Sequence, residues 1–313
     1  MVTHNRPEVA VHSIDHFSQI VPDLGVARDF YSEFGLDVSE EDGRLRLRTQ
    51  GDNHPWGYIY EGKRKKTNYI CYGVFERDIE ALKNKVTGAG ITLKDPPAQC
   101  PVQNAFWFCD PDGNTVGVRV AEKVTPNAKA RHVYKSAPEG QCGALNRRNA
   151  PKVRPSRLSH ILIFVSDVER SIEFYHQTLG LRLSDVAEDA VAFMHAPHGA
   201  DHHTLAFAKS DGIGIHHTSW DVSSIDEVGL GAMQMKNAGW QEGWGVGRHV
   251  LGSNYFYYVR DPWKSYCEYS FDIDYIPAGS DWKAGHHHGE DSLYLWGEDV
   301  PAEFVKCYEF REE

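Results

Sequence analysis

Seventeen histidines are many for a chain of 313 residues, and twelve of them follow residue 155. Three side chains in that rear portion have types suited to holding a metal and fall on apolar runs with strand character. His160 opens SHILIFVSD, His217 opens HTSWDV, and Glu268 closes YVRDPWKSYCEYSF. Two imidazoles and one carboxylate occupy one face of a divalent ion and leave the opposite face open. That arrangement suits Fe(II) oxygen chemistry, because an organic substrate and dioxygen can both bind. His216 and His217 are neighbours on a strand and point to opposite faces, so only one of them can serve such a site. His203, His249 and Tyr258 lie on the strands or loops leading to the three ligands, and an imidazole beside a phenolic substrate can act as base and then as acid near neutral pH. The run His286, His287, His288 sits in a polar, glycine-flanked tail and is set aside as a metal site.

The elements that must position these groups come from a repeat. Residues 11–36 and 155–181 share spacing: seven residues after His16 comes Asp23, then Phe30-Tyr31, and after His160 come Asp167 and Phe174-Tyr175 at the same offsets. In each copy a strand-like run ends at an Asp able to cap a following amphipathic helix, and Gly180 stands where a left-handed residue ends the second one. Short strands, a second helix and a hairpin turning after Asp-Pro follow in both copies. The first copy serves as an internal control. His16 matches His160, but Tyr69 stands at the position of His217 and Gly117 at that of Glu268, so a metal centre is expected in the second copy alone.

Composition limits the alternatives. The chain is 41% apolar and 25% charged, enough for two globular domains, and 33 basic against 44 acidic residues leave a net charge of −11. An acidic surface disfavours nucleic acid and anionic lipid. No run reaches 18 apolar residues and the start has no apolar signal region, so a soluble, cytoplasmic protein without a membrane partner is expected. Six scattered cysteines, with no C-x-x-C pair, read as buried, inert thiols.

These residues resemble the type I extradiol ring-cleaving catechol dioxygenases of the vicinal oxygen chelate superfamily, over residues 11–275. The most specific match is Gly247-Arg248-His249, with Tyr258 nine residues later and Glu268 ten beyond. The resemblance implies an α+β fold of two domains, each made of paired β-α-β-β-β modules that curl a mixed sheet around a central cavity. Each copy must then contain a second module beginning near the strand before its second helix. The expected divisions are an N-terminal domain without metal at 11–121, a basic linker at 122–155, a catalytic domain at 156–275, and a tail at 276–313 acting as a lid. It further implies Fe(II) on His160, His217 and Glu268, a catecholic substrate, O2, a muconic semialdehyde type product of aromatic catabolism, and a homo-oligomer. His203 would be the acid-base group, with His202 as the alternative register, and His249 and Tyr258 would bind substrate oxygens. Phe193, Trp244 and Trp220 are candidate pocket walls. A metal-dependent isomerase, a thiol transferase or a metal-free binding protein of the same superfamily are the alternatives.

Overall fold

The computed structural model describes residues 8–131 and 137–309. The residues at the start of the chain, part of the basic connector and the end of the tail lie outside that range.

The front half runs β1 (Ser13–Val21), α1 (Leu24–Phe34), β2 (Asp37–Glu41), β3 (Arg44–Arg48), β4 (Gly57–Glu61), β5 (Lys66–Val74), α2 (Ile79–Gly88), β6 (Ala105–Cys109) and β7 (Thr115–Val120). The rear half runs β8 (Arg157–Val165), α3 (Val168–Leu179), β9 (Arg182–Ala187), β10 (Val191–His195), β11 (Ala200–Asp201), β12 (Leu205–Lys209), β13 (Gly214–Asp221), α4 (Ile225–Asn237), β14 (Gly243–Arg248), β15 (Tyr255–Arg260) and β16 (Tyr266–Phe271). Two short strands follow, β17 (Tyr275–Ile276) and β18 (Gly285–His287).

Each half therefore holds two helices, and β5 and β13 begin the second module of their halves. In the front half that module has lost a full strand: only the isolated bridge of Lys94 to Trp107 stands in its place. The strands form mixed sheets, ordered β2-β3-β4-β1-β5-β7-β6 and β14-β15-β16-β13-β8-β12-β10-β9-β18. Parallel pairs β8/β12 and β13/β16 close each module of the rear half on itself, and the antiparallel pair β8/β13 joins the two modules.

The repeated residues explain the local structure. Asp23 accepts from the Val26 N–H and Asp167 from the Arg170 N–H, each at 2.9 Å, satisfying donors left open at a helix start. Gly180 closes α3 at φ 70°, and a Cβ there would lie 2.6 Å from the Ala10 Cβ, so glycine is required twice over.

The uninterrupted apolar run of β8 is buried on both faces. Ile161, Ile163 and Val165 join the core beneath the helices, whereas Leu162 and Phe164 face the other way, toward Phe193 and Leu251. The halves share that main core. Phe34 of α1 stacks on Tyr269 of β16 at 4.1 Å, and Trp220 meets both Phe17 and Phe34 at 6.4 Å. Trp220 is thus packing between the halves and not a pocket wall. The two Asp-Pro turns each dock on the opposite half: Asp110 accepts from the Tyr175 hydroxyl at 3.1 Å, and Asp261 pairs with buried Lys65 at 2.6 Å.

All six thiols are free, but Cys142 is exposed and Cys100 and Cys109 are half-buried, which corrects the expectation of uniformly buried cysteines. Among the described residues no helix is long and apolar enough to cross a membrane.

Candidate metal centre

Strand register carries the three proposed ligands into one cluster. His160 on β8 pairs with Ser219 of β13, and Ser219 pairs in turn with Glu268 of β16. His217, two residues before Ser219, points to the same face. The result is a buried group whose donor atoms lie within 4.8 Å of one another. The Glu268 Oε2 stands 3.3 Å from the His160 Nε2 and 3.6 Å from the His217 Nε2. Tyr258 pairs directly with Glu268 across β15/β16, so it shares that face.

Hydrogen bonds fix the protons. Asp201 accepts from the Ser159 hydroxyl at 2.8 Å, which leaves the Ser159 Oγ to accept from the His160 Nδ1–H at 3.2 Å. The Phe304 carbonyl accepts from the His216 Nε2–H at 2.6 Å. The His216 Nδ1 is then the acceptor for the His217 Nδ1–H at 2.7 Å. Both ligand rings therefore present a bare Nε2 to the centre. His217 Nε2 and Glu268 Oε2 are buried with no hydrogen-bond partner. Lone pairs converging without a donor make a site that a cation completes. Burial pushes the His217 pKa well below its ordinary value, with the nearby His216 acting in the same direction, so the ring is neutral and available for ligation.

Around this cluster, the His249 Nδ1–H donates to the Leu293 carbonyl, and the Tyr258 hydroxyl donates to the His249 Nε2 at 3.0 Å. Burial, then the charge of Glu268, raises the Tyr258 pKa well above the phenol range, so Tyr258 keeps its proton. His203 lies against His160, ring centres 3.9 Å apart, and against Phe193 at 4.8 Å. Burial foremost, with the surrounding imidazoles adding to it, depresses its pKa well below 6.5. Its neighbour His202 faces away, donating to Asp185 at 2.7 Å.

The cavity over the centre is lined by His160, His203, His217, His249, Tyr258 and Phe193, among others. Trp244 does not reach it. That ring stacks on the far side of Tyr258 at 5.6 Å, and this corrects its expected place on the pocket wall. Ser292, Leu293 and Phe304 of the tail line the cavity as well.

Several contributors were missed in the sequence. Asn254 donates to the Glu268 Oε1 at 3.0 Å and to the Ser270 Oγ at 2.9 Å, holding the carboxylate in place. Its signal was an amide four residues before Tyr258, an even offset onto the same face. Ser159 and Asp201, which orient the His160 ring, carried no sequence signal of their own, and His216, known from the sequence only as the neighbour of His217 on the opposite face, orients the His217 ring.

The front half shows what became of the equivalent place. Tyr69 opposes Ser18 and Gly117 opposes Cys71, the registers that His217 and Glu268 hold in the rear half. Trp107 pairs with Gly117 as Tyr258 does with Glu268. A Cβ on Gly117 would sit 2.4 Å from the Trp107 ring, so the indole fills the space a carboxylate would need. Asp15, His16 and Cys71 do cluster there, but Asp15 is bonded to His16 at 2.7 Å and faces the Arg119 guanidinium at 3.4 Å. Gly117→Ala is expected to lower the stability by about 1–3 kcal/mol through overpacking. A shift of the urea midpoint, with metal content unchanged, would check it.

The sequence model of the Glyoxalase/Bleomycin resistance protein/Dioxygenase superfamily matches residues 13–118 and 157–269. Metapyrocatechase 2 of Cupriavidus necator is 50% identical over 301 residues, 96% of this chain and 93% of that protein. The chain belongs to this superfamily, among its extradiol catechol dioxygenases. More distant is an iron-dependent extradiol dioxygenase of Rhodococcus jostii, 23% identical over 71% of this chain and 74% of its own length. The crystal structure of a Mn(II)-bound glyoxalase from Novosphingobium aromaticivorans shares the fold, with a TM-score of 0.76 at 23% identity over 96% of both chains. Two domains of mixed sheets with few helices are the architecture of this superfamily, and a catalytic metal goes with membership in its dioxygenase branch.

Proposed function

We propose that the chain cleaves a catecholic ring with O2 beside one hydroxyl, at a single Fe(II) held by His160, His217 and Glu268, giving a muconic semialdehyde type product. The observation that carries the reading is the convergence of two bare imidazole nitrogens and an unpartnered carboxylate oxygen on one buried point. A 2-His-1-carboxylate set with open positions is the donor set of ferrous oxygenases. When bound, the ion supplies a Lewis-acid anchor for both substrate oxygens and a path for electrons from the ring to O2.

The remaining work falls to the chain. Leu162, Val191, Phe193 and Leu251 form an apolar wall that holds the ring and excludes water. His203, neutral in its buried place, takes a substrate proton and later returns one. Tyr258 and His249 hydrogen-bond the substrate oxygens, and Asn254 keeps Glu268 from turning toward them. Phe304 and Leu293 close the mouth over the bound ring.

The test is anaerobic loading with Fe(II), then oxygen and a panel of catechols, watching for a yellow ring-opened product with one iron per chain. Turnover that follows Mn(II) in place of Fe(II) would overturn the choice of metal. Thiol-dependent isomerisation with zinc or nickel, or a protein that binds no metal, would overturn the reaction.

A further inference from the structure

Strand β9 carries a carboxylate that reaches the cavity through a chain of hydrogen bonds. Asp185 is ionised: burial opposes its charge, but bonds from His202, His287 and the Gly285 N–H outweigh this and hold its pKa below the ordinary carboxylate value. Its Oδ2 can only accept, so the His202 Nε2 at 2.7 Å carries a proton. A neutral His202 then has its lone pair on Nδ1. That atom lies 3.0 Å from the His203 Nδ1, which must be the donor. The second ring nitrogen of His203, Nε2, is then left bare, on a ring that lines the cavity.

The other oxygen of Asp185 belongs to the tail. Oδ1 accepts from the Gly285 N–H at 2.7 Å and the His287 Nε2–H at 2.9 Å, where β18 runs parallel to β9 with Gly285 opposite Asp185. Trp282 closes the cluster, its ring 5.6 Å from His202 and its indole N–H donating to the Ser184 carbonyl at 2.9 Å. The same construction serves His217, where His216 and a tail carbonyl fix the bare nitrogen.

We infer that Asp185 and His202 are positioning residues which, clamped by the tail strand β18, lock His203 in the tautomer protonated at Nδ1 and so aim its lone pair into the cavity. The inference rests on the reading of His203 as the group that takes the substrate proton. Without the chain, a neutral imidazole divides between two tautomers, and the one protonated at Nε2 cannot act as a base toward the substrate.

Metal-free protein labelled with 15N in histidine gives the direct test, through long-range proton–nitrogen spectra in which the His203 signals are assigned by their loss in His203→Asn. The wild-type protein is expected to show a protonated Nδ1 and a bare Nε2. In His202→Phe, which keeps a ring against Trp282, the second tautomer is expected to appear and kcat of the iron-loaded enzyme to fall about 10-fold, with KM within about twofold. His202→Gln offers a side-chain oxygen to the His203 N–H and is expected to restore the single tautomer. A wild-type His203 protonated at Nε2 overturns the inference without any variant, as does an unchanged tautomer and kcat in a folded His202→Phe. Absence of ring cleavage by the iron-loaded wild type, with Nδ1 protonated, would sink the reading of function and leave the tautomer lock standing.

Discussion

His217→Ala is expected to emerge from anaerobic iron loading and desalting with almost no iron, and to lose turnover by about three orders of magnitude or more, whereas His16→Ala keeps both. The two histidines sit in related modules, so any general demand of the scaffold would weigh on them alike. What differs is the surroundings. Around His217 the atoms that would touch an ion are a bare His160 nitrogen and an unpartnered Glu268 oxygen, on a strand row where register leaves no alternative donor. Removing one imidazole leaves two donors and an exposed lobe of charge, too few to retain a labile ferrous ion. Around His16, Asp15 already holds the ring, Tyr58 and Tyr69 pack edge-on at 5.3 and 5.5 Å, and Trp107 occupies the remaining space. Iron assay after desalting decides the matter. Loss of one equivalent in His16→Ala, or retention in His217→Ala, would contradict the asymmetry between the halves.

That asymmetry was legible in the chain because strand register obeys parity. His160, His217 and Glu268 end up in one row since each lies inside a strand, not at its end as the sequence suggested, and the partners of those strands are set by the repeat; the copy with Tyr69 and Gly117 exposes the departure. Tyr258 followed from the same rule. Trp244 obeyed parity too, for it pairs with Tyr258 across β14/β15, but β14 is the last strand of its sheet, one step too far out, and the indole covers the tyrosine instead of the cavity. Parity gives the face and says nothing of distance from the centre.

The contacts that could not be read are those with the tail. Phe304 reaches His216 across 88 residues and Leu293 reaches His249 across 44, both through backbone carbonyls, which carry no side-chain signature. The strand β18 has only three residues, too short for a period to show, and is held by one carboxylate on its neighbour. The missing strand of the second front module was equally hidden, because a single bridge at Lys94 has no pattern.

Acidification of the metal-free protein is expected to remove stability between pH 6.5 and 4, with His12 and His195 contributing a slope approaching about 2.7 kcal/mol per pH unit in addition to that of His16, His198, His203, His216 and His217, which burial also holds down. His12 and His195 are each pushed down to about 4, in both cases by burial first. For His12 the bond to the Ala121 carbonyl at 3.0 Å only partly offsets this, and Lys123 and His198 add repulsion. For His195, His202 and Arg182 act with burial. In the unfolded chain both rings take a proton below about 6.5, while in the folded chain they stay neutral down to about 4. Within that window the unfolded state binds more protons, so stability falls as the pH falls. Above it the contribution is fully present, and below it these two groups lose nothing further. The gap between 6.5 and about 4 corresponds to about 3 kcal/mol for each ring. Depressed carboxylates such as Asp15 and Asp185 act in the same direction, but only beneath their ordinary value of 3.8, so the two classes separate along the pH axis. Urea midpoints of the metal-free protein measured from pH 7.5 to 4.5 give the slope, and His12→Gln is expected to lower it by about 1.4 kcal/mol per pH unit. A flat profile across that window would mean that both rings are protonated in the folded chain, which their neutral partners and buried places do not accommodate.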